Sequence, residues 1–220
     1  MEWTRHIDGY CERLDPGYWA EPINAVTNAA FLLVALIMWR RLGDASLLLA
    51  RVLVAILAAI GLGSFLFHTH AQVWSALADV LPIMAFVLVY IYAANRAFWR
   101  KGRLASVFGV GVAIALSVAL IPVLAVIPLI GVSASYLPLP LLIAGYGLAL
   151  RSRAPDTARG LLIGAGLLVV SLMFRSLGQE VCDILPFGTH FGWHLLNAVM
   201  LGWMIEVYRR HMLAPPLPRR

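Results

Sequence analysis

The chain has 220 residues, 61% of them hydrophobic and only 13% charged, with a mean hydropathy of +0.84. A soluble domain carries about 25% charged residues, so composition excludes an ordinary soluble domain and predicts an all-α, polytopic membrane protein. The formal net charge of +6 does not point to nucleic acid, because the arginines stand in short clusters between apolar runs, as in cytoplasmic loops.

The chain opens on a polar, acidic segment, residues 1–21, with no pattern of a cleavable signal peptide. Asp8, Glu12, Asp15 and Glu21 crowd this stretch. Clustered carboxylates suit a hard cation such as calcium, but the spacing matches no standard calcium loop. By residue type alone, a solvated acidic segment is the stronger reading. Cys11 and Cys182 are the only cysteines, and the residues alone leave a disulfide and two free thiols both open.

Six uncharged runs follow, and the one over 104–150 is too long for a single crossing. Pro122, Pro128 and Gly131 mark a turn within it. Seven transmembrane helices are therefore expected, near 22–40, 51–68, 76–95, 104–122, 133–150, 159–176 and 188–208. They form one domain over 22–210, with a tail over 211–220. Placing the N-terminus outside leaves only Arg5, Arg13 and Arg175 of the basic residues on that side and satisfies the positive-inside rule. The C-terminus is then cytoplasmic. Sixteen arginines against one lysine suggest a GC-rich genome and so a bacterial inner membrane.

Chemistry gathers at the outer ends. The second helix carries Gly61-Leu62-Gly63-Ser64-Phe65-Leu66-Phe67-His68, and Asp79 heads the third. Ionisable groups at membrane depth are costly and survive where they bind or react. Ser64 and His68 share a helix face at i, i+4, as do His190 and His194 at the head of the seventh helix. All three histidines lie at one depth. Three imidazoles and an open position make a catalytic zinc arrangement, whereas isolated membrane histidines more often bond across helices. Glu21, Asn24 and Asn28 form a further polar row on the first helix.

These residues resemble a known family. The Gly61–His68 stretch with Asp79-Val80-Leu81-Pro82-Ile83-Met84, the pair in His190-Phe191-Gly192-Trp193-His194, and Tyr10-Cys11-Glu12 with Glu21-Pro22-Ile23-Asn24 and Thr27-Asn28 are similar to the alkaline ceramidases. That family belongs to a superfamily of seven-helix hydrolases that includes the adiponectin-type receptors. The resemblance implies His68, His190 and His194 as zinc ligands, Asp79 as acid/base and Ser64 as the hydroxyl near the substrate carbonyl. It implies a calcium site from Asp8, Tyr10, Glu12, Asp15 and Glu21, reversing the reading from residue types, and a Cys11–Cys182 disulfide. The chain departs from the family pattern in several places. Val80 replaces an acidic residue, Leu14 stands where an asparagine is expected, and the family's aspartate aligns with Gly9. The stretch between Glu12 and Glu21 is two residues shorter than in the family, and the loop from Cys182 to His190 is also short.

The chemistry follows from the residue set. Zinc on neutral imidazoles makes hydroxide available near neutral pH, Asp79 moves protons, and Ser64 with the metal steadies an oxyanion. A site reached from the membrane selects a lipid, so cleavage of ceramide or a similar N-acyl lipid to a long-chain base and a fatty acid is expected. The competing readings are a seven-helix lipid sensor and a lipid-remodelling esterase. His70 is an alternative ligand, while His6, His211, Asn197, Glu206, Trp74 and Trp193 read as surface, packing or interface residues.

Overall fold

The computed structural model describes residues 2–214, so Arg219 and Arg220 of the expected tail lie outside the described residues. Seven helices account for the fold: α1 (Pro22–Leu42), α2 (Leu48–His70), α3 (Val73–Ala97), α4 (Arg103–Ala125), α5 (Pro138–Leu150), α6 (Pro155–Ser176) and α7 (His190–Leu213). Helix α1 runs as two segments, Pro22–Thr27 and Ala29–Leu42, joined at Asn28. Among the described residues, strand pairing is limited to one isolated antiparallel bridge between His6 and Gln72.

Five of the seven helices, α1, α2, α3, α4 and α6, are long and apolar enough to cross a membrane. The other two differ for different reasons. Helix α5 is 13 residues, shorter than the expected 133–150, because a 3-10 turn at Gly131–Ser133 precedes it and Pro138 sets its first turn. Helix α7 has 24 residues, but its apolar character is diluted by His190, His194, Asn197, Glu206, Arg209 and Arg210. The fourth apolar run does divide between Pro122 and Tyr136, since α4 ends at Ala125 and the chain turns before α5.

The core lies where α1, α2, α3, α6 and α7 meet. Phe31, Leu53, Leu57, Ile60, Leu161, Met204 and Ile205 are almost fully buried. The lipid-like exterior is just as apolar: Leu104 and Phe108 on α4 are 87% and 75% exposed. A chain with apolar residues both inside and outside its bundle is a multi-pass membrane protein.

Small residues set the helix spacing near the site. A Cβ on Gly63 would run into the Ala78 carbonyl of α3, and one on Gly61 would press against Phe31 and the Asn28 carbonyl of α1. The two glycines therefore admit α1 and α3 to α2 on either side of Ser64, the small-residue logic of membrane helix packing.

Each end of the bundle is tied. At one end Glu206 (α7) accepts from Arg41, Arg209 and Arg210, and Asn95 links α3 to Ser106 of α4 and Tyr146 of α5. The expectation that Glu206 is structural fits this cluster. At the other end the N-terminal segment lies across the bundle. Ile7 N donates to Ala71 O at 2.7 Å, Val73 N to Arg5 O at 3.2 Å, and Gln179 Nε2 to Gly9 O at 2.7 Å. Cys11 and Cys182 form a disulfide that pins the segment to the α6–α7 connection. Gly188, in the left-handed region at φ +61°, has no Cβ to collide with Cys11 and Gly178 O, so the connection can turn tightly under that bridge.

Candidate metal centre

The site sits beneath the N-terminal segment, at the ends of α1, α2, α3 and α7. His68 is in the last turn of α2, and His190 and His194 occupy the first two turns of α7. His68 is far in sequence from the other two, yet each of the three offers a ligand nitrogen within 4.8 Å of the others, and all three side chains are buried. Ring centroids are 4.7 Å apart for His68–His194 and for His190–His194, and 5.2 Å for His68–His190.

Hydrogen bonding fixes the ring orientation of His68 and His194. His68 Nδ1 lies 2.6 Å from Glu21 Oε2, an acceptor only, so Nδ1 carries the proton and Nε2 is a free lone pair. His194 Nδ1 lies 2.9 Å from Thr27 Oγ1. The Thr27 hydroxyl proton goes to the Ile23 carbonyl at 2.8 Å, so its oxygen accepts from His194 and leaves Nε2 bare. His68 Nε2, His194 Nε2 and His190 Nδ1 are buried with no hydrogen-bond partner. Orphaned buried nitrogens are expensive, and a divalent metal held by the three clustered imidazoles would satisfy the bare Nε2 atoms of His68 and His194. The donor set fits zinc.

Ser64 and Asp79 stand beside this triad. Ser64 is 4% exposed and one turn before His68. Asp79 has His68, Ser64 and Arg175 as its polar neighbours. The close approach of α2 and α3 at Gly63 brings Ser64 and the carboxylate together. His70, by contrast, turns away and packs against Tyr18 and Trp74.

The five residues expected to bind calcium do not fit that ion. Among the described residues, the histidine triad is the one cluster of three or more metal-donor side chains. Glu12 instead caps the start of α1, accepting from Ile23 N at 2.6 Å and Asn24 N at 2.9 Å. Asp15 accepts from Gly17 N, Asp8 is exposed, and the Tyr10 carbonyl accepts from Arg13 N. Glu21 is divided between His68 and Arg13, whose Nε is 2.5 Å from Oε1. Burial alone pushes the Glu21 carboxyl up, but the hydrogen bonds and charges of His68 and Arg13 outweigh it and hold it below the ordinary glutamate value.

Three neighbours take roles that the sequence reading did not give them. Tyr10 lays its ring 4.1 Å from His190 and 4.9 Å from His68, closing the triad on its segment side. Thr27 orients His194 and stands one residue before Asn28, the last member of the polar row Glu21, Asn24 and Asn28, so its place three residues after Asn24 was a signal that could have found it. Arg175 lies over the Tyr136 ring at 4.9 Å and donates to Ser133 Oγ, and nothing local in its sequence signals this.

A protein-family model for ceramidases matches residues 10–210. The chain belongs to the ceramidase family. No curated protein matches it. The matched stretch of this ceramidase-family chain begins at Tyr10 and ends at Arg210, so it takes in Glu21, all three histidines, Ser64, Asp79 and both cysteines. One turn deeper, an apolar cavity of about 70 Å³ is lined by Ile83, Phe86 and Tyr90 of α3, Tyr136, and Trp193 and Met204 of α7.

Proposed function

We propose that this protein is an intramembrane, zinc-dependent amide hydrolase that cleaves ceramide or a similar N-acyl lipid to a long-chain base and a fatty acid. The observation that carries this reading is the cluster of three buried imidazoles, each with an unpartnered nitrogen, beside Asp79 and Ser64. Membership in the ceramidase family supports the substrate class.

His68, His190 and His194 hold the metal. Zinc bound there supplies Lewis acidity and makes a nucleophile from water near neutral pH. Asp79 accepts the proton of the attacking water as its oxygen bonds the carbonyl carbon. The same carboxyl then delivers that proton to the amide nitrogen as the C–N bond breaks, so the base leaves as a neutral amine. Ser64 donates a hydrogen bond to the carbonyl oxygen as it gains charge. Glu21 and Thr27 hold the rings of His68 and His194 in their ligating tautomers. The apolar cavity lies along the faces of α3 and α7 below Asp79 and His194, on the side from which the apolar part of a lipid would approach. From Asp79 to Tyr90 the rise of α3 spans roughly 16 Å.

The arginine distribution supports an N-terminus outside, with residues 1–21 extracytoplasmic, 22–210 the hydrolase domain and 211–220 cytoplasmic. The reaction then takes place near the outer, periplasmic face of a bacterial inner membrane.

The test is metal analysis of purified protein together with product identification from an N-acyl lipid and its ester analogue. Stoichiometric zinc and release of fatty acid and amine from the amide are expected. A zinc-free preparation, or full amidase activity in a His194→Ala variant, would end this reading, and preferential ester cleavage would change the substrate class.

A further inference from the structure

Three backbone carbonyls and one carboxylate oxygen converge above His68, and a guanidinium lies among them. Arg13 Nε donates to Glu21 Oε1 at 2.5 Å, Nη1 to Asp15 O at 3.2 Å and to Gly17 O at 3.3 Å, and Nη2 to His68 O at 3.1 Å. Four of its five N–H donors are thereby used. Arg13 is only 7% exposed and Glu21 only 1%. A mixed set of carbonyl and carboxylate oxygens is what a hard cation takes, and here the chain supplies the cation itself.

We propose that Arg13 is the resident cation of the N-terminal segment, which therefore folds over the metal centre without calcium. The guanidinium is charged at every working pH, and its planar fork serves several oxygens at once. A divalent ion brought to the same oxygens would meet a fixed positive charge in a poorly solvated place, where repulsion is strong. The sequence departures agree with this arrangement: Gly9 and Leu14 carry no ligand where the family pattern expects one. Arg13 acts as a positioning residue. It holds Oε1 of Glu21, so that Oε2 meets His68 Nδ1 at 2.6 Å, and it grips the carbonyl of His68 itself. Breaking one partner of such a buried pair leaves the other charge uncompensated.

The experiment has two arms on the purified full chain in detergent. In the first, the melting temperature of the wild type is compared in excess calcium and in EGTA, and bound calcium is measured. The curves should coincide with no stoichiometric calcium, whereas an ion present at roughly a hundred times its Kd would raise the midpoint by several degrees. A calcium-dependent rise, or one calcium per chain, would overturn the proposal. In the second arm, Arg13→Gln and Arg13→Lys are compared for loss of zinc to a chelator. Arg13→Gln should lose zinc about 10- to 100-fold faster than wild type, and Arg13→Lys, which keeps the charge but not the fork, should fall between them. Wild-type zinc retention in Arg13→Gln would refute the positioning role. If Arg13→Gln does not fold, the calcium comparison on the wild type decides alone. The zinc arm rests on the proposed metal centre, and the calcium arm does not, so a zinc-free wild type would count against that centre and leave the calcium result standing.

Discussion

Glu21 Oε2 accepts from His68 Nδ1 at 2.6 Å, across 47 residues of sequence, and this one bond turns the free nitrogen of His68 toward His190 and His194. A carboxylate behind a ligating histidine raises its basicity and fixes its ring. Glu21→Gln should therefore lower zinc affinity by about 10- to 100-fold. Thr27→Val, which removes only a neutral acceptor from His194, should have a smaller effect in the same direction. Competition with a zinc-sensitive dye ranks the two.

Metal binding and proton transfer should separate by mutation. Asp79→Asn keeps all three imidazoles and should retain zinc, while turnover falls by about 10²- to 10⁴-fold, the usual worth of a positioned acid/base. His194→Ala should lose both zinc and turnover. Elemental analysis beside a fatty-acid release assay reads the difference, and zinc loss in Asp79→Asn would make that residue a ligand instead.

Gly63 has a packing role that activity should report. Any side chain there meets the Ala78 carbonyl, and α3 must move away from Ser64 to relieve it. Gly63→Val should cost roughly 1–3 kcal/mol of stability as an overpacked contact and reduce turnover beyond what that loss explains. Gly145 has nothing near its missing Cβ, so Gly145→Val in α5 is the control expected to leave turnover unchanged.

Reduction should loosen the same site from above. The Cys11–Cys182 bridge holds the segment that carries Tyr10, Arg13 and Glu21. Cys11→Ser should lower stability by about 2–4 kcal/mol, typical for a native disulfide, and speed zinc loss to a chelator. A variant that melts lower yet holds zinc as firmly as wild type would show that the bridge serves stability alone.

Much of this protein was legible in one dimension. The helix count, the division of the long apolar run near Pro122–Tyr136 and the pairs Ser64/His68 and His190/His194 follow from local properties, namely hydropathy over a span and the period of a helix. Membership in the ceramidase family rests on the same local motifs. The partner of Glu21 was not legible, since residue types alone read the four nearby carboxylates as a solvated segment and the family resemblance assigned them to one shared ion. Folding separates them: Glu12 caps α1, Asp15 turns to Gly17, Asp8 faces outward, and Glu21 goes to His68 and Arg13.

The sequence by itself determined a many-helix membrane chain with three histidines at one end, because apolar length and i, i+4 spacing are written locally. Only the tertiary structure decided which nitrogen each histidine presents, which carboxylate stands behind His68, and which cation sits in the oxygen cradle above it. Those outcomes depend on contacts between residues 8 to 167 positions apart, such as Arg13 with Glu21 and Thr27 with His194. Such contacts are set by how closely the glycines let α1, α2 and α3 approach and by the disulfide that draws the N-terminal segment over them. No spacing rule along the chain encodes that approach.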